Sequence, residues 1–399
     1  MNILNQSATA AEDFPLLALS PVANSRHSWA ALMLAGLVPA DRLWLEQMGR
    51  LFTEFGLQEA LGGLACILPL TDPDSLDDDL AALLPREQIV LRIPLERCLD
   101  PASGASLERL RTLGFHLMAD GLPAAGQVLH ATISAVASDG PGLPAVLAHL
   151  PGPHLATAVD NSERLKQAHG AGYAWFAGDY PLHPALGKAQ HGGSSSALLL
   201  KLLAMVASDA DSREIEALLK QDPSLSYQLL KLVNSVSFSL STKIANFGHA
   251  ITLLGRRQLQ RWLQLLIYAQ PANEDPASPL MVRAARRASL METLCQKVGG
   301  SKDDQEQAFM TGMFSLLDVL FGQPMEKIIT PLNLGDEVDA ALLRKSGWLG
   351  NLLSLVEASE RAPTSSLAGQ LEAVMLTPAN YAQAVVHACG WAIQVSRQT

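Results

Sequence analysis

The chain has 399 residues, 48% of them hydrophobic, with 39 acidic against 29 basic side chains and a formal net charge of −10. That length supports two or three cores rather than one. The acidic balance argues against nonspecific binding to nucleic acid or an anionic membrane, which needs a basic surface. Four cysteines, Cys66, Cys98, Cys295 and Cys389, form no CxxC pair. They suit buried or free thiols in a reducing compartment, not a disulfide frame or a zinc site. No basic segment followed by an apolar core opens the chain, and no run of 18 apolar residues occurs. A cytoplasmic protein without a membrane span is therefore expected.

Residues 1–13 are polar and alanine-rich and read as a loose terminus. From there to residue 189 short apolar runs alternate with helical ones. Residues 16–19, 64–68, 88–93, 116–120, 131–136 and 155–159 read as strands, and 41–60, 107–113 and 162–169 as helices. Alternation with short connections predicts a parallel α/β arrangement, and the strand number approaches that of a barrel. Residues 190–196, QHGGSSS, form a Gly/Ser linker. Beyond it, residues 197–399 read as helical throughout, with a polar loop at 271–279.

Within the helical half, residues 222–268 stand out. Asp222 and Pro223 suit a helix N-terminus, and Leu225, Leu229, Leu232 and Val233 recur at helical spacing. Asn234 and Ser235 end that helix. Ile244, Ile251, Leu253 and Leu254 form a second apolar run, Gly255 stops it, and Leu259, Leu263 and Leu266 begin a third. No nucleophile with a base, metal-ligand spacing or phosphate loop occurs there, so the stretch reads as a packing and docking module. Arg256, Arg257 and Arg261, with Arg283, Arg286 and Arg287, are the local exception to the acidic balance. Solvated helix faces are the ordinary explanation of such a pattern. The first three are the candidate interaction surface.

The segment LLKLVNS, the spaced AITLLG and the Leu/Trp-rich helix after it resemble the hallmark of the HDOD domain. That domain is a non-catalytic, all-helical relative of the HD metal-dependent phosphohydrolases. On this resemblance Asn234, Ser235 and Gly255 are structural hallmarks. The HD metal-binding histidine falls on the helix around Arg286 and Arg287, and the His-Asp dyad on Ser315 and Leu316. Neither site keeps its ligands. Asp318, Glu292 and Glu306 remain and read as solvated or capping carboxylates.

The first half resembles the EAL domain, a TIM-barrel-like phosphodiesterase of cyclic di-GMP. LPREQIVLRI, LGFHLMADGLP and ATAVDNSERLKQAHGAGYAWFAGDYPLHP stand in the order of its landmarks. The metal-binding Glu of the family's signature motif falls on Ala30 and its Arg on Leu34. The Asn ligand falls near Leu68 or Pro69, and the next Glu on Arg92. Asp120 survives of an Asp pair, and Asp160 stands for the late Glu. The usual catalytic lysine has no counterpart, because the first lysine of the chain is Lys166. Two-metal hydrolysis needs several converging carboxylates. The ten histidines, eight of them before residue 200, show no ligand spacing on one element.

The resemblance therefore implies a degenerate EAL domain at 14–189 followed by an HDOD domain at 197–399, with no cofactor or metal. It implies a bacterial signalling protein without enzymatic activity, binding protein partners in cyclic di-GMP-linked control of motility, biofilm or virulence. Diguanylate cyclases, phosphodiesterases, sensor-kinase components and a second copy of the chain are the candidate partners. The alternatives are a cyclic di-GMP or other nucleotide sensor without turnover, and a nucleic-acid regulator working through Arg256, Arg257 and Arg261.

Overall fold

The structure is a computed structural model that describes residues 14–36, 42–144, 147, 149–183, 194–207, 210–219, 259–261, 263–268, 279–332, 334–360 and 365–398. The chain divides into two compact units. One comprises Met1–Ala185 with Leu355–Ile393, the other Leu186–Ser354 with Gln394–Thr399.

The first unit is built on a closed eight-stranded barrel. Its strands are β1 (Leu17–Asn24), β2 (Trp29–Gly36), β3 (Ala65–Pro69), β4 (Ile89–Pro94), β5 (His116–Asp120), β6 (Ala135–Ser138), β7 (Leu155–Ala156) and β8 (Trp175–Phe176). Neighbours from β2 to β8 run parallel, as alternation with helices predicts. β1 runs antiparallel to both β2 and β8. The exception has a local cause. The Asn24 carboxamide oxygen accepts from the backbone N–H of Arg26 at 2.9 Å and of Ser28 at 3.2 Å, and His27 takes φ 60°. A side chain that closes its own turn folds β1 back on β2.

Helices α1 (Arg42–Thr53) and α2 (Leu57–Leu61) follow β2, and α3 (Asp78–Ala82) follows β3. α4 (Leu95–Leu99) and α5 (Gly104–Thr112) follow β4, and α6 (Ser162–Gly170) follows β7. α1 buries Trp44, Leu45, Met48, Leu51 and Phe52, the stripe its spacing dictates. The Asp77 carboxylate caps α3 from Leu80 N–H, and the Asn161 carboxamide caps α6 from Arg164 N–H. Irregular chain joins β5 to β6.

Period-2 alternation sends Val22, Ala31, Ile67, Val90, Met118, Ala135, Ala137 and Leu155 into the barrel interior. The mixture of alanines with larger aliphatic side chains fits the taper of so small a barrel.

The second unit is helical among its described residues. It contains α7 (Ser194–Ala207), α8 (Ser212–Leu219), α9 (Pro279–Lys297), α10 (Lys302–Phe314), α11 (Leu317–Phe321), α12 (Met325–Ile329) and α13 (Asp336–Arg344). α10 opens on a capping box. Ser301 Oγ accepts from Asp304 N–H at 3.2 Å, and the Asp304 carboxylate accepts from Ser301 N–H at 2.8 Å. α9 and α10 meet backbone to backbone, since a Cβ on Gly312 would lie 2.7 Å from Ala288 Cα.

After α14 (Gly347–Ala358) come α15 (Ser365–Ala373) and α16 (Pro378–Gln398). Residues of the helical C-terminus through Ile393 belong to the barrel's unit. There α16 passes close to α2, with the Cβ position of Gly390 only 3.0 Å from Ala60 Cβ.

Candidate functional site

The carboxyl ends of β4 and β5 bring together two residues 28 apart in sequence. Register pairs Pro94 with Asp120 and Arg92 with Met118. Met118 lies in the interior cluster, and alternation sends Arg92 and Asp120 to the same face at the barrel mouth. Arg92 Nη2 donates to Asp120 Oδ1 at 2.6 Å, and Arg92 Nη1 lies 3.5 Å from Met33 Sδ. The Arg92 side chain is 24% exposed and that of Asp120 41%, so the pair is only partly withdrawn from solvent.

On β2, Ala31 is an interior residue, and Ala30 sits at the register shift opposite Val22 and Ala23, where strict alternation is interrupted. The β2 side chain that reaches the mouth is Met33, a thioether. Pro69 lies beside Arg92 on β3. Asp160 is exposed and precedes Asn161, the cap of α6.

The donor set at the mouth does not fit the metals that the EAL resemblance implies. A guanidinium seated on the carboxylate already supplies the positive charge and repels a second cation. Among the described residues no group of three or more His, Cys, Asp or Glu side chains is placed to hold a metal ion. Cys98, buried near Asp120, does not supply a nucleophile. Burial, reinforced by the Asp120 and Glu96 charges, pushes its thiol up to about 12.

At the other end of the barrel, Asn24, His27, Lys166 and His169 line a cavity of about 330 Å³. His154 is half-buried, and its Nδ1 accepts from Val136 N–H at 3.3 Å. Desolvation lowers its pKa.

In the helical unit, Arg287 Nη1 on α9 donates to Ser315 Oγ at 3.0 Å, and that hydroxyl donates to the Gly312 carbonyl at 2.7 Å. The positions onto which the two HD ligand motifs fall are thus adjacent, joined by a guanidinium and a hydroxyl. Tyr268 donates its hydroxyl to the Met313 carbonyl at 2.7 Å. Burial raises the Tyr268 pKa, so the phenol remains neutral.

Arg283, Arg286 and Arg287 are buried, at 5%, 2% and 4% exposure. This overturns the expectation of solvated helix faces for them. Arg261 is ion-paired with Glu292, and its guanidinium lies 4.4 Å from the centroid of the Phe309 ring. Glu292 is thereby an ion-pair partner rather than a solvated carboxylate. Asn234, Ser235, Gly255, Arg256 and Arg257 lie outside the described residues, as do residues 190–193 of the linker.

The geometry defines a class first: an eight-stranded barrel joined to a helical unit, with Arg92 paired to Asp120 at the barrel mouth and Arg287 bonded to Ser315 between two helices. Residues 195–322 match the family model of the HDOD domain. With the EAL landmarks falling on β4, β5, β7, α6 and β8 in sequence order, the chain is an EAL–HDOD protein.

The curated relative named cyclic di-GMP phosphodiesterase CdgJ, from Vibrio cholerae, is 32% identical over 52% of this chain and 48% of its own. YuxH of Bacillus subtilis is 30% identical over 55% of this chain and 54% of its own. The chain spans about half the length of these relatives. Among solved structures, the EAL enzyme Bd1971 bound to cAMP and cyclic di-GMP has a TM-score of 0.35 at 15% identity, over 44% of this chain and 64% of that one. The EAL domain of Mycobacterium smegmatis DcpA has a TM-score of 0.34 at 13% identity, over 41% and 90%.

Proposed function

We propose that the chain is a non-catalytic regulator in cyclic di-GMP-linked signalling, acting through contacts with other signalling proteins. The observation that carries the non-catalytic part is the Arg92–Asp120 pair at the barrel mouth. Hydrolysis of a phosphodiester by two metals needs carboxylates free to bind them, and Asp120 is engaged by a cation of the chain itself. The Arg287–Ser315 contact gives the helical unit a similar substitution. The link to cyclic di-GMP draws on the EAL landmarks and on the named activity of the Vibrio relative. Both units keep buried apolar cores around these replaced positions, which suits a scaffold that presents surfaces to partners.

The relative's name points to cyclic di-GMP as the ligand, and with Asp120 engaged by Arg92 a second reading is a sensor that binds it without cutting it. One experiment separates the readings. The full chain is incubated with cyclic di-GMP and Mg²⁺ or Mn²⁺, and binding is titrated calorimetrically in parallel. The regulator predicts neither turnover nor binding heat at high micromolar nucleotide. Binding without turnover establishes the sensor, and metal-dependent turnover overturns both.

A further inference from the structure

Arg283, Arg286 and Arg287 stand at i, i+3 and i+4 on α9, which places them on one helix face. Arg286 is 2% exposed, and its Nε and Nη2 are both buried without a hydrogen-bond partner. A guanidinium cannot shed its proton to escape burial, and an uncompensated buried charge is strongly unfavourable. The two orphaned donors are not scattered. Nε and Nη2 form one edge of the guanidinium, the parallel pair of N–H groups that grips two oxygens of a single oxyanion. Arg287 spends Nη1 on Ser315 Oγ, and Arg261 is held by Glu292.

We propose that the helical unit contains an oxyanion site whose anchor is the Nε/Nη2 edge of Arg286, taking a phosphate or carboxylate group of a small molecule. The proposal does not depend on the function argued above, because it concerns the helical unit and holds whether or not the barrel binds a nucleotide. A site this buried exchanges ligand through local opening. Stability is therefore the appropriate readout, since a ligand that binds only the native state raises the melting midpoint.

The full-length protein is melted in chloride, acetate and inorganic phosphate at matched ionic strength and pH. The wild type is expected to melt roughly 2–4 °C higher in phosphate or acetate than in chloride, at anion concentrations well above saturation. Whichever anion gives the larger shift identifies the group. Phosphate also stabilises proteins nonspecifically by exclusion from their surface, and Arg286→Met separates the two effects. It should lose the anion-dependent shift and, in chloride, melt no lower than the wild type, because an unpaired buried cation has been replaced by an apolar chain. Arg286→Lys keeps the charge but not the fork, and should lose most of the shift. The proposal is overturned if the wild type responds to neither anion, or if either variant keeps the full shift.

Discussion

At the residue scale, the proposal of a non-catalytic barrel turns on one ion pair. Arg92 stands where the EAL landmarks put a carboxylate, and its guanidinium seats itself on Asp120. Because the Asp120 side chain is 41% exposed, the pair contributes little to stability. Arg92→Ala should lower it by about 0.5–1 kcal/mol, read as a shift in the urea midpoint. A loss several times larger would mean that the guanidinium supports more than this carboxylate.

His154 offers a pH test. Its folded-state pKa is depressed by burial, and its Nδ1 accepts a hydrogen bond that only the neutral ring can take. The stability it contributes is present above the unfolded pKa of about 6.5 and is lost as pH falls through the lower folded value. Stability measured between pH 7 and 5 should therefore fall, and His154→Gln should flatten that slope. An unchanged slope would assign the acid sensitivity elsewhere.

Arg92 and Asp120 were both legible in the sequence as landmarks, but their contact was not. Pairing across β4 and β5 depends on strand register, which a lone sequence does not display. The same gap hid the role of Met33, the β2 side chain that lies against the Arg92 guanidinium. Arg283, Arg286 and Arg287 misled for a different reason. Their spacing is that of an ordinary polar helix stripe, and only tertiary packing shows the stripe to be buried.

At the element scale, helix crossings are set by glycines. Gly312 lets α10 approach α9 until a Cβ would lie 2.7 Å from the Ala288 backbone. Helix propensity alone predicts that Gly312→Ala would stabilise by about 1 kcal/mol. Overpacking against a backbone that cannot rotate away opposes it by more. A net loss of about 1–2 kcal/mol in chemical unfolding is expected, and a net gain would show that the crossing is slack. The strands of the barrel's middle were readable because apolar runs such as Ile89–Pro94 and His116–Asp120 carry clear boundaries. β2 was not among the strands read from the sequence, although Trp29–Gly36 is an apolar run of strand length. The two-residue strands β7 and β8 are held by neighbours more than by their own composition.

At the scale of the whole molecule, the order of a barrel and then helices was legible in the switch from alternating to helical periodicity. The assignment of Leu355–Ile393 to the barrel's unit was not, since nothing in an amphipathic helix names the surface it covers. Close passage of Gly390 by Ala60 shows how intimate that association is.

The central claim is that cations of the chain itself stand where metals would act. Calorimetric titration of Mn²⁺ into the metal-stripped full chain tests it most directly. The account predicts no saturable binding at millimolar metal. Saturable binding that Asp120→Ala abolishes would contradict it.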